Sequence, residues 1–118
     1  MGLFDIIGNL VDAAKDAADD SKAKNQAAYE EIMCQPASYD TARRAVRKAN
    51  SGSFSEKAGY NRALKEILYE LDDREIIELF NRENLGVCQG TVCQALERRG
   101  YMRKDSENNY VKTDNWPY

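Results

Sequence analysis

The chain contains no histidine, only two prolines and three cysteines, and no long apolar run. Histidine is the commonest general base near neutral pH and a frequent zinc ligand, so its absence removes the usual catalytic and metal sites. The cysteines, Cys34, Cys88 and Cys93, are odd in number and form no Cys-x-x-Cys pair. This argues against both a disulfide framework and an all-cysteine zinc site. The sequence therefore predicts no metal and no disulfide.

Catalytic and membrane motifs are missing as well. We find no nucleophile–base arrangement, no phosphate-cradling glycine loop and no nucleotide fingerprint. No apolar run approaches the roughly 20 residues that cross a bilayer. The first residues lack a basic leader, and Ile6 stands where an N-myristoylation signal has Ser or Thr. We therefore expect a cytoplasmic protein that is not an enzyme, needs no cofactor and contacts no membrane.

Charge is distributed unevenly along the 118 residues, which suffice for one domain with an extension. Residues 1–35 carry seven acidic and three basic side chains, and residues 60–87 carry seven acidic and four basic ones. Residues 36–59 carry five basic and two acidic side chains, and residues 88–113 carry five basic and three acidic ones. The net charge of the whole chain is −3. Residues 88–113 nevertheless carry more basic than acidic side chains, which is the sign of charge that favours nucleic-acid binding.

The N-terminal segment, Gly2 to Met33, has the pattern of an amphipathic helix. Its apolar residues recur at alternating spacings of four and three and would form one stripe along the helix. The stripe consists of Leu3, Ile7, Leu10, Ala14 and Ala17. The stripe allows packing on the same domain, pairing with a second copy, or a membrane-surface helix. The polar side carries aspartates where membrane helices carry Lys and Arg, which disfavours the third alternative. The predicted dimer or partner interface consists of Leu3, Ile6, Ile7, Leu10 and Val11.

A second, short helix is predicted from Tyr39 to Ala49, after Pro36 ends the first. Its apolar side is formed by Ala42, Ala45, Val46 and Ala49. Its other side is a basic patch formed by Arg43, Arg44, Arg47 and Lys48. The patch is interpretable as a solvated face whose cations favour the helix C-terminus. It is also interpretable as a second phosphate contact, or as a dock for acidic segments of the same chain or its twin.

The C-terminal half reads as three helices and a hairpin. Ser53 and Glu56 match a capping box, and the helix they open runs through 62–71. A similar signal at Asp72 starts a helix that reaches Glu83, and a third helix covers 88–99. Gly100 ends it, strands are predicted over 101–104 and 110–113, and a turn over 106–109. Three helices followed by a hairpin is the order of a winged helix-turn-helix.

Two short motifs support the predicted winged helix-turn-helix. Thr91-Val92 and Leu96-Glu97-Arg98-Arg99-Gly100-Tyr101-Met102-Arg103 make residues 60–113 resemble the bacterial winged helix-turn-helix DNA-binding repressors. In that family a Thr-Val pair opens the recognition helix, and Leu-Glu-x-x-Gly is followed by two apolar residues and a basic one. The family's pair lies about two turns before Leu-Glu, whereas Val92 lies one turn before Leu96. This departure leaves the base-reading positions less defined than the fold.

The resemblance implies a mainly α-helical fold: a winged helix-turn-helix, with three helices plus a β-hairpin wing, and an N-terminal helical extension. The predicted division is an amphipathic arm over residues 1–35, a short basic helix and loop over 36–53, and a winged-helix domain over 54–118.

The expected function is that of a small DNA-binding transcriptional regulator, a homodimer on double-stranded DNA. The third helix would lie in the major groove, where Gln reads adenine and Arg reads guanine, and the wing would contact phosphates. The candidate DNA-binding residues are Gln89, Thr91, Gln94, Arg98, Arg103, Lys104, Asn108 and Asn109. The alternative is a non-catalytic adaptor or inhibitor that uses the same scaffold and its acidic arm to bind another protein.

Two further features allow two interpretations each. Cys88 and Cys93 are either redox-sensitive thiols near a helix N-terminus or small buried residues. Helical spacing places Val92, Cys93 and Leu96 on the inner face of the third helix. Trp116, the single tryptophan, either covers the domain's own core or is an anchor for a partner.

Overall fold

The computed structural model describes residues 20–117, and these are mainly α-helical with one small antiparallel hairpin, as predicted. The elements are α1 (residues 20–33), α2 (Tyr39–Ser51), α3 (Phe54–Glu70), α4 (Asp73–Arg82), a 3₁₀ turn (Gly86–Cys88), α5 (Gln89–Arg98), β1 (Met102–Lys104) and β2 (Tyr110–Lys112). The predicted interface residues Leu3, Ile6, Ile7, Leu10 and Val11 lie outside the described residues. None of the helices within 20–117 is both long and apolar enough to span a membrane.

Local capping signals set the starts of the middle helices. At α3 the Ser53 hydroxyl accepts a hydrogen bond from the Glu56 amide, and the Glu56 carboxylate accepts one from the Ser53 amide. Asp72 and Glu75 form the same reciprocal pair at α4. These bonds satisfy amides that have no partner within the helix. Both predicted start signals are therefore confirmed.

One hydrophobic core joins residues from α1 to the C-terminal tail. The predicted apolar side of α2 is fully buried in it, as are Ile32 of α1, Leu64 and Leu68 of α3, and Leu96 of α5. The core thus takes side chains from all three predicted segments. The boundaries proposed after residues 35 and 53 stay a prediction about organisation along the sequence.

Helices α1 and α3 run side by side in the same direction. The hydroxyls of Ser21 and Ser55 are 2.6 Å apart, and further along Arg62 donates to Asn25 Oδ1 over 3.0 Å. Between these contacts lies Gly59, where an added Cβ would be 2.1 Å from the backbone oxygen of Asn25. A side chain larger than hydrogen at position 59 would therefore push α1 away from α3.

The connection between α4 and α5 is held by Asn50, near the end of α2. The Asn50 side-chain amide donates to the carbonyl of Leu85 over 3.0 Å, and its oxygen accepts from the amide of Val87 over 3.0 Å. Gly86, between them, has a φ of +51°, a conformation that favours glycine. An added Cβ there would be 2.0 Å from Asn50 Oδ1. Asn50 and Gly86 together fix the approach to α5.

The hairpin pairs Met102 with Lys112 and Lys104 with Tyr110. Its turn contains Asn108 at a φ of +66°, a backbone conformation that asparagine adopts more readily than most residues. The tail then packs Trp116 against Phe80, with ring centroids 5.4 Å apart and Trp116 only 7% exposed. Of the two interpretations of Trp116, the one in which the tail covers its own core is confirmed.

Candidate nucleic-acid interface

Helix α5 has one buried and one free side. Val92, Cys93, Ala95 and Leu96 are buried, which confirms the predicted inner face. The opposite stripe, spaced by three or four residues, is exposed along its length and consists of Val87, Gly90, Gln94 and Arg98. A Cβ added at Gly90 would have no atom of the described residues within 4 Å. The outer side of α5 is therefore exposed to solvent and is not covered by any other described element.

The candidate DNA-binding residues of α5 differ in whether their side chains are free to contact a ligand. Gln89 and Gln94 are exposed, and neither side chain hydrogen-bonds to another described residue. Thr91 is half-buried, and its hydroxyl donates to Asn61 Oδ1 of α3 over 2.7 Å. Because the hydroxyl proton of Thr91 is already in a hydrogen bond with Asn61, Thr91 is a weaker candidate for base contact than its neighbours.

Arg98 is exposed at the last turn of α5, and its guanidinium lies over the Tyr69 ring with its carbon 4.4 Å from the centroid. An arginine stacked on an aromatic ring keeps its planar donor edge free. It also loses less side-chain entropy when it binds a partner. The contact thus restricts Arg98 to a narrow set of orientations next to α5.

The Thr91–Asn61 and Arg98–Tyr69 contacts show that α5 runs beside α3 in the same direction. A stripe of α3 continues the free surface of α5, and consists of Phe54, Ala58, Asn61, Lys65 and Tyr69. We name this stripe, together with Val87, Gly90, Gln94 and Arg98, the α3–α5 face. It carries two cations, Lys65 and Arg98, and no acidic residue.

The α3–α5 face is also apolar for a surface. Phe54 is 90% exposed, Tyr69 56% and Val87 49%. The fourth large apolar side chain exposed within residues 20–117 is Met33 of α1, which is 38% exposed. These side chains are spread along the length of the face, since Phe54 and Tyr69 lie at opposite ends of α3.

The hairpin supplies cations on the other side of α5, where Tyr110 approaches Glu97 at 3.5 Å. Arg103, Lys104 and Lys112 are exposed. Lys104 lies over the Tyr110 ring at 5.2 Å, and Lys112 over the Trp116 ring at 4.5 Å. The predicted wing-tip residues Asn108 and Asn109 are exposed too. The tip is not purely basic, because it also includes Asp105, whose carboxylate accepts from the amides of Glu107 and Asn109.

A buttress of three side chains fixes the hairpin to the helices. Arg99 donates to Asp73 Oδ1 over 2.8 Å and to the carbonyl of Leu68 over 3.1 Å. The Tyr101 hydroxyl donates to the second oxygen, Asp73 Oδ2, over 2.9 Å. Arg99 is thereby occupied inside the fold, unlike its neighbour Arg98. The buttress joins the end of α5 and the start of the hairpin to α3 and α4.

The buttress predicts a pH-dependent stability. Hydrogen bonds from Arg99, and then from Tyr101, lower the pKa of Asp73 below its usual value. A lowered folded-state pKa stabilises the fold above the unfolded-state pKa, near 4 for an aspartate. This contribution is lost as the pH falls through the folded-state value. We expect Asp73→Asn to lower the unfolding free energy at pH 7, with the difference from wild type shrinking toward pH 2 in urea titrations. A difference that stays constant with pH would contradict the role of the Asp73 charge.

The basic patch of α2 is largely occupied by the chain's own acids. Arg43 and Arg47 lie 3.8 and 3.4 Å from Glu83, and Lys48 lies 2.6 Å from Glu31. Arg44 donates to Gln35 Oε1. The patch lines a surface cavity of about 470 Å³. Of its predicted roles, these contacts favour the dock for acidic residues of the same chain, since the cations tie α1 and α4 to α2.

The two cysteines of the α5 region are buried. Burial raises the pKa of Cys88 to about 11 and raises that of Cys93 as well. A redox-sensitive thiol needs a lowered pKa and access to solvent. The interpretation of both as small core residues is therefore confirmed, and Cys34 is the exposed thiol among the described residues.

Sequence reasoning missed Lys65 and Tyr69 because helical spacing does not reveal which helix lies beside α5. It also missed Lys112, which the strand alternation from Tyr110 could have indicated. Within residues 20–117, no cluster of His, Cys, Asp or Glu side chains is arranged to hold a metal ion.

Comparison with known proteins adds no relative: no family model matches the chain, and no curated protein or solved structure matches it significantly.

Proposed function

We propose that the protein is a small cytoplasmic DNA-binding regulator in which α3, α4, α5 and the hairpin act as a winged helix-turn-helix. The observation that carries the proposal is the free outer side of α5, lined by Gln89, Gly90, Gln94 and Arg98. It lies between Lys65 of α3 and the cationic hairpin. An α-helix with such a free side fits the major groove, where side-chain amides and guanidinium groups distinguish base pairs.

In this mechanism each part of the surface has a separate task. Gln94 and Arg98 contact base edges, with Arg98 held by its stacking on Tyr69. Gly90 allows the helix backbone to come close to the groove, since no atom of residues 20–117 fills that space. Arg103, Lys104 and Lys112 contact phosphates on the flanking backbone, which positions α5 without reading sequence.

The charge of the surface limits the expected affinity. Four cations of the interface are free to contact phosphates, since Arg98 contacts bases, and these are Lys65, Arg103, Lys104 and Lys112. Each phosphate neutralised contributes about 0.9 to the slope of log affinity against log salt. We therefore expect a slope no steeper than about −4, and weak binding to random DNA at physiological salt.

Arg98→Ala tests the base-reading role. We expect it to weaken binding to a selected site by about 1–3 kcal/mol while changing binding to random DNA much less. Titration of both duplexes by fluorescence anisotropy measures the two effects. Arg44→Ala is the matched control, because Arg44 is equally an exposed arginine but belongs to the α2 patch. Equal losses on both duplexes would remove Arg98 from base recognition.

The second candidate function is that of a non-catalytic adaptor or inhibitor. It is favoured by one observation, the exposure of Phe54, Tyr69 and Val87 on the α3–α5 face. Apolar and aromatic anchors are typical of protein interfaces. The two functions differ in their response to salt: DNA binding falls steeply as salt rises, whereas binding through apolar anchors does not.

A further inference from the structure

We propose that the α3–α5 face is a docking surface for the chain's own N-terminal segment, residues 1–19, which lie outside the described residues. The segment would then cover the outer side of α5 and exclude DNA from it. The exclusion of DNA rests on the proposed function, whereas the docking does not.

The α3–α5 face has the chemistry of a surface that binds an amphipathic helix. It gathers three of the four large exposed apolar side chains of residues 20–117. It is formed by two helices that run side by side in the same direction, as the Asn61–Thr91 and Tyr69–Arg98 contacts show. A surface of this kind accepts the apolar side of an amphipathic helix, which binds through residues spaced by three and four.

Residues 1–19 match the α3–α5 face in apolar pattern and in length. The segment carries apolar residues at alternating spacings of four and three from Leu3 to Ala17. At the helical rise of 1.5 Å per residue this stripe would be about 21 Å long. The α3 stripe from Phe54 to Tyr69 is about 22 Å long by the same rule. A segment of this length covers the face from one end to the other.

Helix α1, which follows residues 1–19, starts beside the Phe54 end of the α3–α5 face. Ser21 at the start of α1 is hydrogen-bonded to Ser55, the residue next to Phe54. The segment therefore joins the fold at the Phe54 end of the face. The polar run from Asp19 to Lys22 interrupts the apolar stripe. A reversal of chain direction just before residue 20 would lead the segment back along α3 toward Tyr69.

Docking would also change the charge that DNA meets. On a helix, the acidic residues of the segment fall opposite its apolar stripe, and these are Asp5, Asp12, Asp16 and Asp19. A docked segment would replace the surface of Lys65 and Arg98 by an acidic one. Phosphates would be repelled electrostatically as well as blocked sterically.

A nitroxide spin label tests the docking in the full chain. It is attached through Gly2→Cys in a Cys34→Ser background, where Cys88 and Cys93 stay unlabelled because they are buried. In NMR spectra we expect the label to broaden the amide signals of residues 65–69 and of the last turn of α5. The amide signals of the α2 patch should be broadened little. Ile7→Asp should abolish the broadening on the α3–α5 face, and the matched charge control Asn9→Asp, on the polar side of the segment, should not.

Two results would overturn the docking. One is a face whose signals are not broadened. The other is broadening that occurs only between labelled and unlabelled chains in a mixture, which would assign the segment to a second copy, as self-pairing through Leu3, Ile7 and Leu10 requires.

DNA binding tests the exclusion separately. We expect Ile7→Asp and Phe54→Ser each to raise affinity for a random duplex about tenfold, which corresponds to about 1.4 kcal/mol. Met33→Ser, which alters the exposed apolar residue off the face, should leave affinity unchanged. Broadening with no change in affinity would overturn the exclusion. Broadening in a chain whose variants all fail to bind DNA would uphold the docking and refute the proposed function.

Discussion

Replacing Gly86 by alanine is expected to lower the unfolding free energy by about 2–4 kcal/mol. The left-handed backbone at Gly86, with a φ of +51°, costs an alanine about 1–2 kcal/mol. The new Cβ would also displace Asn50, whose Oδ1 is 2.0 Å from that position. The hydrogen bond from the Asn50 amide to the Leu85 carbonyl and the one from the Val87 amide to Asn50 Oδ1 contribute about 1 kcal/mol each. Urea unfolding followed by Trp116 fluorescence gives the value.

Gly90→Ala is the matched control for Gly86→Ala. Gly90 lies in the first turn of α5 with nothing within 4 Å of an added Cβ. Alanine favours the helix by up to about 1 kcal/mol, so this second substitution is expected to stabilise the protein. Equal effects of the two substitutions would show that the connection before α5 is not built as described. On the proposed function, Gly90→Ala also weakens DNA binding, since the methyl group narrows the approach to the groove.

Replacing Gly59 by valine is expected to lower the unfolding free energy by roughly 3 kcal/mol, the upper range for overpacking. The Cβ would be 2.1 Å from the Asn25 carbonyl oxygen and 2.8 Å from Ala28 Cβ. Because the nearest atom belongs to the backbone of α1, rotation of a side chain cannot relieve the contact. Helix α1 would have to move, which would weaken the bonds from Arg62 to Asn25 and Gln26.

Ala58→Val is the control for Gly59→Val, since Ala58 precedes it in α3 and is exposed. It introduces the same β-branched side chain into the same helix turn without a neighbour to displace. We expect a loss below about 1 kcal/mol there, from helix propensity alone. If both substitutions lower the unfolding free energy equally, α1 does not pack on α3 through Gly59 and does not begin beside Ser55.

Local signals predicted the helices well. The capping residues Ser53 and Asp72 act within three residues of their partners, so their effect is visible in the sequence. Helical spacing likewise identified the buried sides of α2 and α5. The predicted α2 ended two residues early, at Ala49, because Asn50 and Ser51 continue the helix while their side chains bond back to it.

The candidate site was predictable only in part, because its details depend on contacts between distant segments. Thr91 loses its free hydroxyl to Asn61, and Arg98 gains a stacking partner in Tyr69. Glu31 and Glu83 pair with cations of α2 whose role the sequence left open between a solvated face, a phosphate contact and a dock for acidic segments. Single-helix patterns reveal which side chains point outward, but not which outward side chains find a partner in another helix.

In the proposed function the free side of α5 binds DNA. The most direct measurement is retention of genomic DNA fragments by the immobilised chain at low and at moderate salt, followed by sequencing of what is retained. The Ile7→Asp chain is tested in parallel, so that a covered face is not mistaken for a surface without affinity. We expect one enriched motif, whose retention falls as salt rises and is lost with Arg98→Ala. No retention by either chain at low salt would contradict the claim and would favour a protein partner for the α3–α5 face.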